Sequence, residues 1–330
     1  MKYKNNSFIK QTGVALACAI IAACSADDVS VPPLNSGPAD AGDADFTTYV
    51  AVGDSLTAGY ADGALYKSGQ MNSFPNILAG QFADVGGGAF EQPLAETDLG
   101  GFLVGGQEGI LENRFVLNTQ TETPERLEGT PTEEVTASGL NGNTYNNMGV
   151  PGAKSYHLIA GGYGEAAGLL APTPTANPFF VRFSMDPAST TETVIADAAG
   201  QSPTFFTLWI GNNDVLSYAT SGGIGATACV PPACGENDIT DPTAFAGIYT
   251  TAILPALTAN PATKGVLVNI PDVKSIPFFT TVPYNAIPLD QATADMLNQS
   301  YAPYNDGLQA AVGQVPGFTQ EEADARQIVF

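Results

Sequence analysis

Residues 204–211 read Thr-Phe-Phe-Thr-Leu-Trp-Ile-Gly, an apolar run that ends at a glycine. A run of this kind, rich in aromatic residues and bounded by turn formers, predicts a buried β-strand. Working outward, the pattern predicts further strands at 46–52, 144–148 and 265–270, and a helix that opens at Asp241 precedes the last of them. Strands that alternate with helices indicate an α/β fold, with a parallel sheet covered by helices on both faces. Ligands of such folds bind at the carboxyl ends of the strands.

The composition limits the possible partners. The chain has 330 residues, of which 44% are hydrophobic, which is enough for one large domain with a sizeable core. Asp and Glu number 33 against 11 Lys and Arg, so the formal net charge is -22. Because no basic stripe is present to neutralise phosphates, nucleic acid is excluded as an expected partner.

The N-terminus has the pattern of a bacterial export signal. Lysines precede an apolar run at 14–21 that is too short to span a bilayer as a helix. The run ends at Ile21-Ala22-Ala23-Cys24, which resembles a lipobox. We therefore expect a signal peptide at 1–23, lipidation of Cys24 and a flexible linker at 24–45. The alternative is an ordinary signal peptide with an incidental cysteine.

These features predict an exported bacterial lipoprotein of the outer membrane or cell surface, with a periplasmic location as the alternative. The membrane is then a partner through the lipid anchor only. Exported compartments are oxidising, so Cys229 and Cys234 are expected to form a disulfide. No metal site and no cofactor are expected, because the chain has too few soft ligands near each other.

The remaining residues, 46–330, are expected to form one domain. Segments 86–142 and 160–200 fit neither strand nor helix period and are interpreted as insertions or lids. Helices are predicted after Ser73 and Asp290, the second kinked at Pro303, and a capping-box pattern at Thr319 and Glu322 predicts a short last helix. The final residues, 327–330, have the pattern of another strand.

Each of three strand ends delivers a polar cluster that packing alone does not require. The first is Gly53-Asp54-Ser55-Leu56, the second runs from Asn146 to Ala153, and the third is Gly211-Asn212-Asn213-Asp214. Taken singly, each has a structural explanation as a helix cap, a Pro-Gly turn or a loop. Taken together, a serine, a turn glycine and an asparagine at neighbouring strand ends suit a nucleophile with donors for a developing oxyanion.

In this order, the three clusters resemble the blocks of the SGNH or GDSL hydrolases, a family of esterases and lipases. The resemblance covers about residues 46–275 and implies a three-layer, flavodoxin-like fold. It implies Ser55 as the nucleophile and an oxyanion hole formed by the Ser55 amide, the Gly152 amide and the Asn213 side chain. The resemblance implies supporting roles for four other residues of the blocks, namely Gly53, Asp54, Gly211 and Asp214.

The sequence lacks the motif that supplies the catalytic base in this family. The family carries an Asp-x-x-His motif near its C-terminus, whereas the single histidine here is His157, with no acid three residues before it. His157 is interpreted in three ways: it contacts substrate, it replaces the missing base, or it braces its own loop. The resemblance also predicts that the fold is incomplete at its C-terminal end, and that this fragment is weakly active or inactive.

The expected substrate is a small-molecule or lipid ester, cleaved by an esterase of lipolytic or acyl-ester type. The alternatives are a non-catalytic surface lipoprotein that binds glycan or lipid, and a carbohydrate acetylesterase. An apolar group after the fourth strand is predicted either to line an acyl pocket or to fill core, namely Ile276, Phe278, Phe279, Val282 and Ile287.

Overall fold

The computed structural model describes residues 39–135, 140, 143–172, 174–281 and 288–330. The predicted signal peptide, Cys24 and most of the linker lie outside the described residues, as do Val282 and Ile287. None of the helices in the described ranges has the length and apolar character needed to cross a bilayer.

The strands are, in chain order, β1 (Tyr49–Gly53), β2 (Phe102–Val104), β3 (Gln107–Leu111), β4 (Phe115–Asn118), β5 (Thr123–Arg126), β6 (Asn147–Gly149), β7 (Phe205–Trp209) and β8 (Lys264–Leu267). The helices are α1 (Ser55–Ala58), α2 (Lys67–Met71), α3 (Phe74–Ala83), α4 (Pro178–Val181), α5 (Val194–Gly200), α6 (Asn212–Thr220), α7 (Pro242–Ile248), α8 (Leu254–Leu257), α9 (Pro277–Thr280), α10 (Gln291–Ala311) and α11 (Gln320–Arg326). Short 3-10 turns occupy Ser155–Ile159, Ala166–Gly168 and Val273–Ser275.

Four strands form one parallel sheet in the order β6-β1-β7-β8. The strands predicted at 46–52, 144–148, 204–210 and 265–270 form as β1, β6, β7 and β8, and the sheet with its helices confirms the α/β fold expected of a flavodoxin-like hydrolase. The central strand β1 places Gly53 opposite Gly149 of β6 and opposite Trp209 of β7. The carboxyl ends of three neighbouring strands are therefore level with one another.

The strand β1 is buried on both faces because its side chains alternate between two apolar layers. Val50 and Val52 belong to the main core of the domain. Tyr49 belongs to the opposite layer, where its ring contacts Phe82 of α3 and Phe205 of β7. Burial of a valine stabilises a fold by about 1.5–3 kcal/mol, so this strand anchors the sheet on which the site stands.

The helices predicted after Ser73, Asp241 and Thr319 all form, but their N-termini are not capped in the same way. The Asp241 carboxylate accepts two backbone N–H groups of the first turn of α7, and the capping box of Thr319 and Glu322 begins α11. Ser73 directly precedes α3, but its hydroxyl donates to Gln92 and makes no capping bond. A side-chain partner from a distant loop has thus replaced the local cap at this position.

The helix predicted from Asp241 changes its winding halfway. Between α7 and α8 the chain forms a π-helical turn, Tyr249–Ile253. From this turn, Tyr249 Oη donates to the backbone oxygen of Ile210 at 2.7 Å. The wide turn therefore holds the last residue before Gly211, at the end of β7.

Both segments interpreted as insertions contain regular structure. Segment 86–142 carries two antiparallel hairpins, β2-β3 and β4-β5, and its Phe102 belongs to a second apolar cluster. Segment 160–200 carries α5, whose Val194 and Ala198 are buried in the main core. Part of the second segment thus supplies core beneath the sheet.

The strand predicted at 327–330 does not form, and this part of the prediction is wrong. Asn305 of α10 donates to the backbone oxygen of Ile328 and accepts from its N–H, and Asn298 does the same for Phe330. Two side-chain amides therefore supply the donors and acceptors that a neighbouring strand would otherwise supply.

Candidate active site

Three loops that carry the predicted site residues leave the same edge of the sheet. Ser55 follows β1, Gly152 follows β6 and Asn213 follows β7. These strands are parallel neighbours with β1 in the middle, so the loops emerge side by side. The structure therefore brings the three sequence blocks to one region, as expected at the carboxyl ends of parallel strands.

Ser55 is half-buried and is the first residue of α1. The helix starts directly at the strand end because Gly53 permits a close approach. A Cβ built on Gly53 would overlap the side chain of Thr57 and the backbone oxygen of Trp209. Only a residue without a side chain fits there, and this close approach sets the backbone that leads into Ser55 at the start of α1.

Asp54 caps α1 and is completely buried. One carboxylate oxygen accepts from the Leu56 N–H at 3.0 Å and the other accepts from Asn212 Nδ2 at 2.8 Å. Burial raises the pKa of Asp54 to about 6, the two hydrogen bonds oppose this rise, and the negative charge of Asp214 adds to it. The carboxylate thus joins the loop after β1 to the loop after β7.

Asn213 lies in the first turn of α6, after a glycine in the left-handed region. Gly211 has φ of 118°, and a Cβ there would come within 2.9 Å of the ring of Phe245. The Asn213 side chain is half-buried, and its Nδ2 donates to the backbone oxygen of Ala153 at 2.9 Å. An amide nitrogen carries two hydrogens, so this contact to the loop after β6 uses one of them.

Asp214 is also buried and makes the third connection between the loops. Its two oxygens accept from the backbone N–H of Ser155 at 2.8 Å and from the Ser155 hydroxyl at 2.7 Å. A doubly hydrogen-bonded carboxylate holds its partner in one orientation. The 3-10 turn after Gly152 is therefore fixed to the start of α6.

Gly152 is exposed and has φ of 80°, which favours glycine at this position. The residue before it is held by Asn177, whose Nδ2 donates to the backbone oxygen of Pro151 at 2.9 Å and to Tyr163 Oη at 2.9 Å. Sequence reasoning missed Asn177, although Asn177-Pro178 is a typical helix start that could have been found.

Side-chain hydrogen bonds thus connect the three loops: Asp54 with Asn212, Asn213 with Ala153, and Asp214 with Ser155.

A family model described as GDSL-like Lipase/Acylhydrolase matches residues 49–330. The chain belongs to this family. Comparisons with curated proteins and with solved structures gave no significant match. Membership confirms the resemblance and supports an ester hydrolase of esterase or lipase type as the general class.

In this GDSL-family hydrolase, His157 is committed to its own loop. Its Nδ1 accepts from the Lys154 N–H at 3.0 Å, and its ring stacks on Tyr163 with centroids 4.6 Å apart. Burial lowers the pKa of His157 to about 4, so the ring is neutral near pH 7. With Nδ1 accepting, the proton of the neutral ring lies on Nε2. The imidazole therefore has no free lone pair to accept a proton from a serine.

Lys154 is a second residue that sequence reasoning missed. Its side chain is buried, and its Nζ donates to the backbone oxygens of Asp238 at 2.8 Å and Gly235 at 3.4 Å. These carbonyls belong to the loop that directly follows the Cys229–Cys234 disulfide. The lysine thus connects this loop to the turn that carries Gly152. No local sequence signal distinguishes it from an exposed lysine.

The apolar group predicted as an acyl pocket is only partly described. Phe278 and Phe279 lie on α9 with ring centroids 4.9 Å apart, and Phe278 is 67% exposed. Phe278 therefore does not fill core, and the acyl-pocket interpretation stays a prediction. Among the described residues, no group of three or more His, Cys, Asp or Glu side chains is arranged to hold a metal ion.

Proposed function

We propose that the protein is a serine hydrolase that cleaves carboxylic esters, with Ser55 as the nucleophile. The observation that carries the proposal is the bond from Asn213 Nδ2 to the Ala153 oxygen, 2.9 Å long. It supports a common site because it sets the Asn213 amide against the loop of Gly152, at the sheet edge where Ser55 begins α1. The Ser55 and Gly152 amides and the Asn213 side chain then form the oxyanion hole, each donor contributing about 3 kcal/mol.

In the proposed reaction, Ser55 Oγ forms a bond to the carbonyl carbon and the carbonyl electron pair moves onto oxygen. Collapse of this intermediate breaks the ester bond, and the alcohol leaves with a proton. Water then attacks the acyl-enzyme, which releases the carboxylic acid and restores the Ser55 hydroxyl. The proton of Ser55 passes through water to the leaving alcohol, since Nδ1 of His157 already accepts from Lys154.

Acyl esters of lipolytic type are the proposed substrate class, as small molecules or lipids. A neutral ester is favoured over an anionic one, because the net charge of -22 repels anions. One observation favours a rival, a surface protein that binds lipid or glycan without cleaving it. The single histidine of the sequence is held in a tautomer that cannot act as the serine base.

The test compares wild type with Ser55→Ala in turnover of p-nitrophenyl butyrate, and locates the adduct of a fluorophosphonate probe by mass spectrometry. We expect the probe to label Ser55 and the variant to lose at least 100-fold in kcat/KM. Ser300→Ala is the control, because Ser300 is exposed on α10. Equal turnover by wild type and Ser55→Ala would favour the binding protein, and acetate release from acetylated xylan without butyrate turnover would favour the carbohydrate acetylesterase.

We also propose that the chain is exported and anchored by lipid at Cys24. The support is the lipobox-like Ile21-Ala22-Ala23-Cys24 at the end of the short apolar run. Expression of the full chain in a bacterium, followed by fractionation, tests this proposal. Wild type should be recovered with membranes and carry a diacylglyceryl mass, and Cys24→Ser should be recovered without that mass. Cys18→Ser, within the predicted signal peptide, is the matched control.

A further inference from the structure

An open cleft of about 360 Å³ lies against α1, between that helix, α2 and the start of α3. Its walls include Leu56, Tyr60, Tyr66 and Phe74. This volume is at the small end of the roughly 300–1,000 Å³ typical of ligand sites. The lining of this cleft does not include Phe278 and Phe279 of α9, which belong to the group predicted to line an acyl pocket.

The cleft begins at the residue after the proposed nucleophile. Leu56 follows Ser55 directly, and its side chain is 43% exposed. The backbone oxygen of Ser55 accepts from the Tyr60 N–H at 3.0 Å, so the far side of the short helix is fixed to its first residue. A group attached to a carbonyl at Ser55 can therefore extend along Leu56 towards the tyrosines.

Three of the five polar side chains of the lining donate hydrogen bonds within the protein. Tyr66 Oη donates to Asp62 at 2.6 Å and Ser73 Oγ donates to Gln92 at 3.0 Å, and Asn72 Nδ2 uses one of its two hydrogens on the Ser68 oxygen at 2.8 Å. Beside these groups, Leu56, Tyr60 and Phe74 offer a ligand ring and aliphatic surface. An apolar chain gains from burial against this surface, and a sugar is the alternative ligand, which the experiment below distinguishes.

We propose that this cleft binds the acyl chain of a medium-length ester. The inference rests on the serine esterase proposed above and names its substrate class: the carbonyl lies at Ser55 and the chain runs past Leu56 between Tyr60 and Phe74. Because the cleft is small and open, chain carbons beyond medium length extend into water. The specificity constant then rises with acyl length from acetyl to octanoyl esters, by about tenfold or more, and levels off at palmitoyl.

The structure contains its own reporter of cleft occupancy. Trp209 is the single tryptophan of the chain, and its ring lies 5.5 Å from that of Phe74, edge to face. A chain that packs on Phe74 changes the surroundings of the indole and hence its fluorescence. Occupancy can therefore be measured in Ser55→Ala, where no turnover interferes.

The binding arm titrates Ser55→Ala with methyl octanoate and, separately, with methyl acetate. We expect a saturable change in Trp209 emission with the first ester and none with the second at equal concentration. The second substitution Asn72→Phe places a ring in the cleft and leaves Trp209 as the single tryptophan. It should weaken the binding of methyl octanoate at least tenfold. Ile77→Phe is the matched control, because Ile77 is 55% exposed on α3 and does not line the cleft.

The kinetic arm compares two isomers, methyl octanoate and heptyl acetate, which carry the long chain on the acyl and the alcohol side. We expect wild type to have a higher specificity constant for methyl octanoate than for heptyl acetate. Asn72→Phe should lower the ratio of the first constant to the second at least tenfold. Ile77→Phe should leave this ratio unchanged. Preference for heptyl acetate, or equal losses on both esters, would overturn the acyl assignment.

The outcomes separate this inference from the function on which it rests. Turnover by wild type without a Trp209 response, and without a change of ratio in Asn72→Phe, overturns the cleft and leaves the esterase. A Trp209 response that Asn72→Phe abolishes, without turnover by wild type, supports the chain site and overturns the esterase. A response to acetylated xylo-oligosaccharide in place of methyl octanoate overturns the apolar ligand class.

Discussion

Asn212 Nδ2 donates to Asp54 Oδ2 at 2.8 Å, across 158 positions of sequence and with both residues buried. The bond joins the loop that starts α1 to the loop that starts α6. The position of Ser55 thus depends on a carboxylate whose own charge is costly to bury.

The first prediction concerns the charge of Asp54. Its folded pKa, about 6, lies above the ordinary value of 3.8, so the folded state binds the proton more tightly than the unfolded state. Stability contributed by this group is present below pH 4 and is lost as the pH rises through 6. The free energy of unfolding of Asp54→Asn, relative to that of wild type, should therefore rise by about 1 kcal/mol from pH 5 to pH 8. Urea unfolding at the two pH values measures this change.

Asp290→Asn is the control with the opposite sign. Asp290 is an exposed helix cap, and its hydrogen bonds to Thr293 hold its pKa below the ordinary value. Its stabilisation is present above that ordinary value and is lost as the pH falls through the folded pKa. A parallel pH dependence of the two variants would contradict the explanation by burial.

The second prediction concerns Asn213 in the proposed oxyanion hole. Asn213→Ala removes one donor and should lower kcat about 10²–10³-fold on p-nitrophenyl butyrate, with KM changed only a few-fold. Asn213→Asp has the same size but offers a negative acceptor, so its loss should be at least as large. Circular dichroism checks the fold, and a folded variant that keeps its kcat would refute the assigned role.

The third prediction concerns His157, which the structure places as a loop brace. In His157→Asn, the side-chain oxygen can accept from the Lys154 N–H in place of Nδ1. We expect kcat within about threefold of wild type and an unchanged pH profile between pH 5 and 9, because the pKa of His157, about 4, lies below this range. A 100-fold loss of kcat in a folded variant would show that the ring itself acts in the reaction.

The fourth prediction concerns Lys154, which is buried between the loop that follows the Cys229–Cys234 disulfide and the loop of Gly152. Lys154→Met leaves the carbonyls of Gly235 and Asp238 without their donor. Amide hydrogen exchange in residues 225–240 should accelerate at least tenfold. Lys264→Met is the matched control, because Lys264 also donates to a backbone oxygen but is exposed. Equal effects of the two substitutions would remove the special role of burial.

The fifth prediction tests the close approach at Gly53. Gly53→Ala should destabilise the fold by about 3 kcal/mol or more, since the added Cβ overlaps backbone and side-chain atoms. Gly80→Ala, in the middle of α3 with open space around it, should instead stabilise by about 0.5–1 kcal/mol. Thermal melts of both variants measure the difference, and a mild effect at Gly53 would show that α1 can move away from β7.

Much of the scaffold could be predicted because its signals are local. The run at 204–210, the glycines after β1, β6 and β7, and the Asp241 cap each express strand period, turn chemistry or capping within a few residues. The strand at 327–330 was wrongly predicted for the same reason. Its apolar residues fit a strand, and only the distant side chains of Asn298 and Asn305 show what its backbone binds.

The sequence by itself determined the α/β class, the sheet edge that carries the site and the family, since strand period and the spacing of small polar blocks are properties of short segments. Only the tertiary structure decided that Asn212 holds Asp54, that Nδ1 of His157 accepts from the Lys154 N–H, and that a cleft starts at Leu56. These features arise from contacts between residues far apart in sequence, and burial and hydrogen-bond geometry at such contacts exist only once the chain has folded.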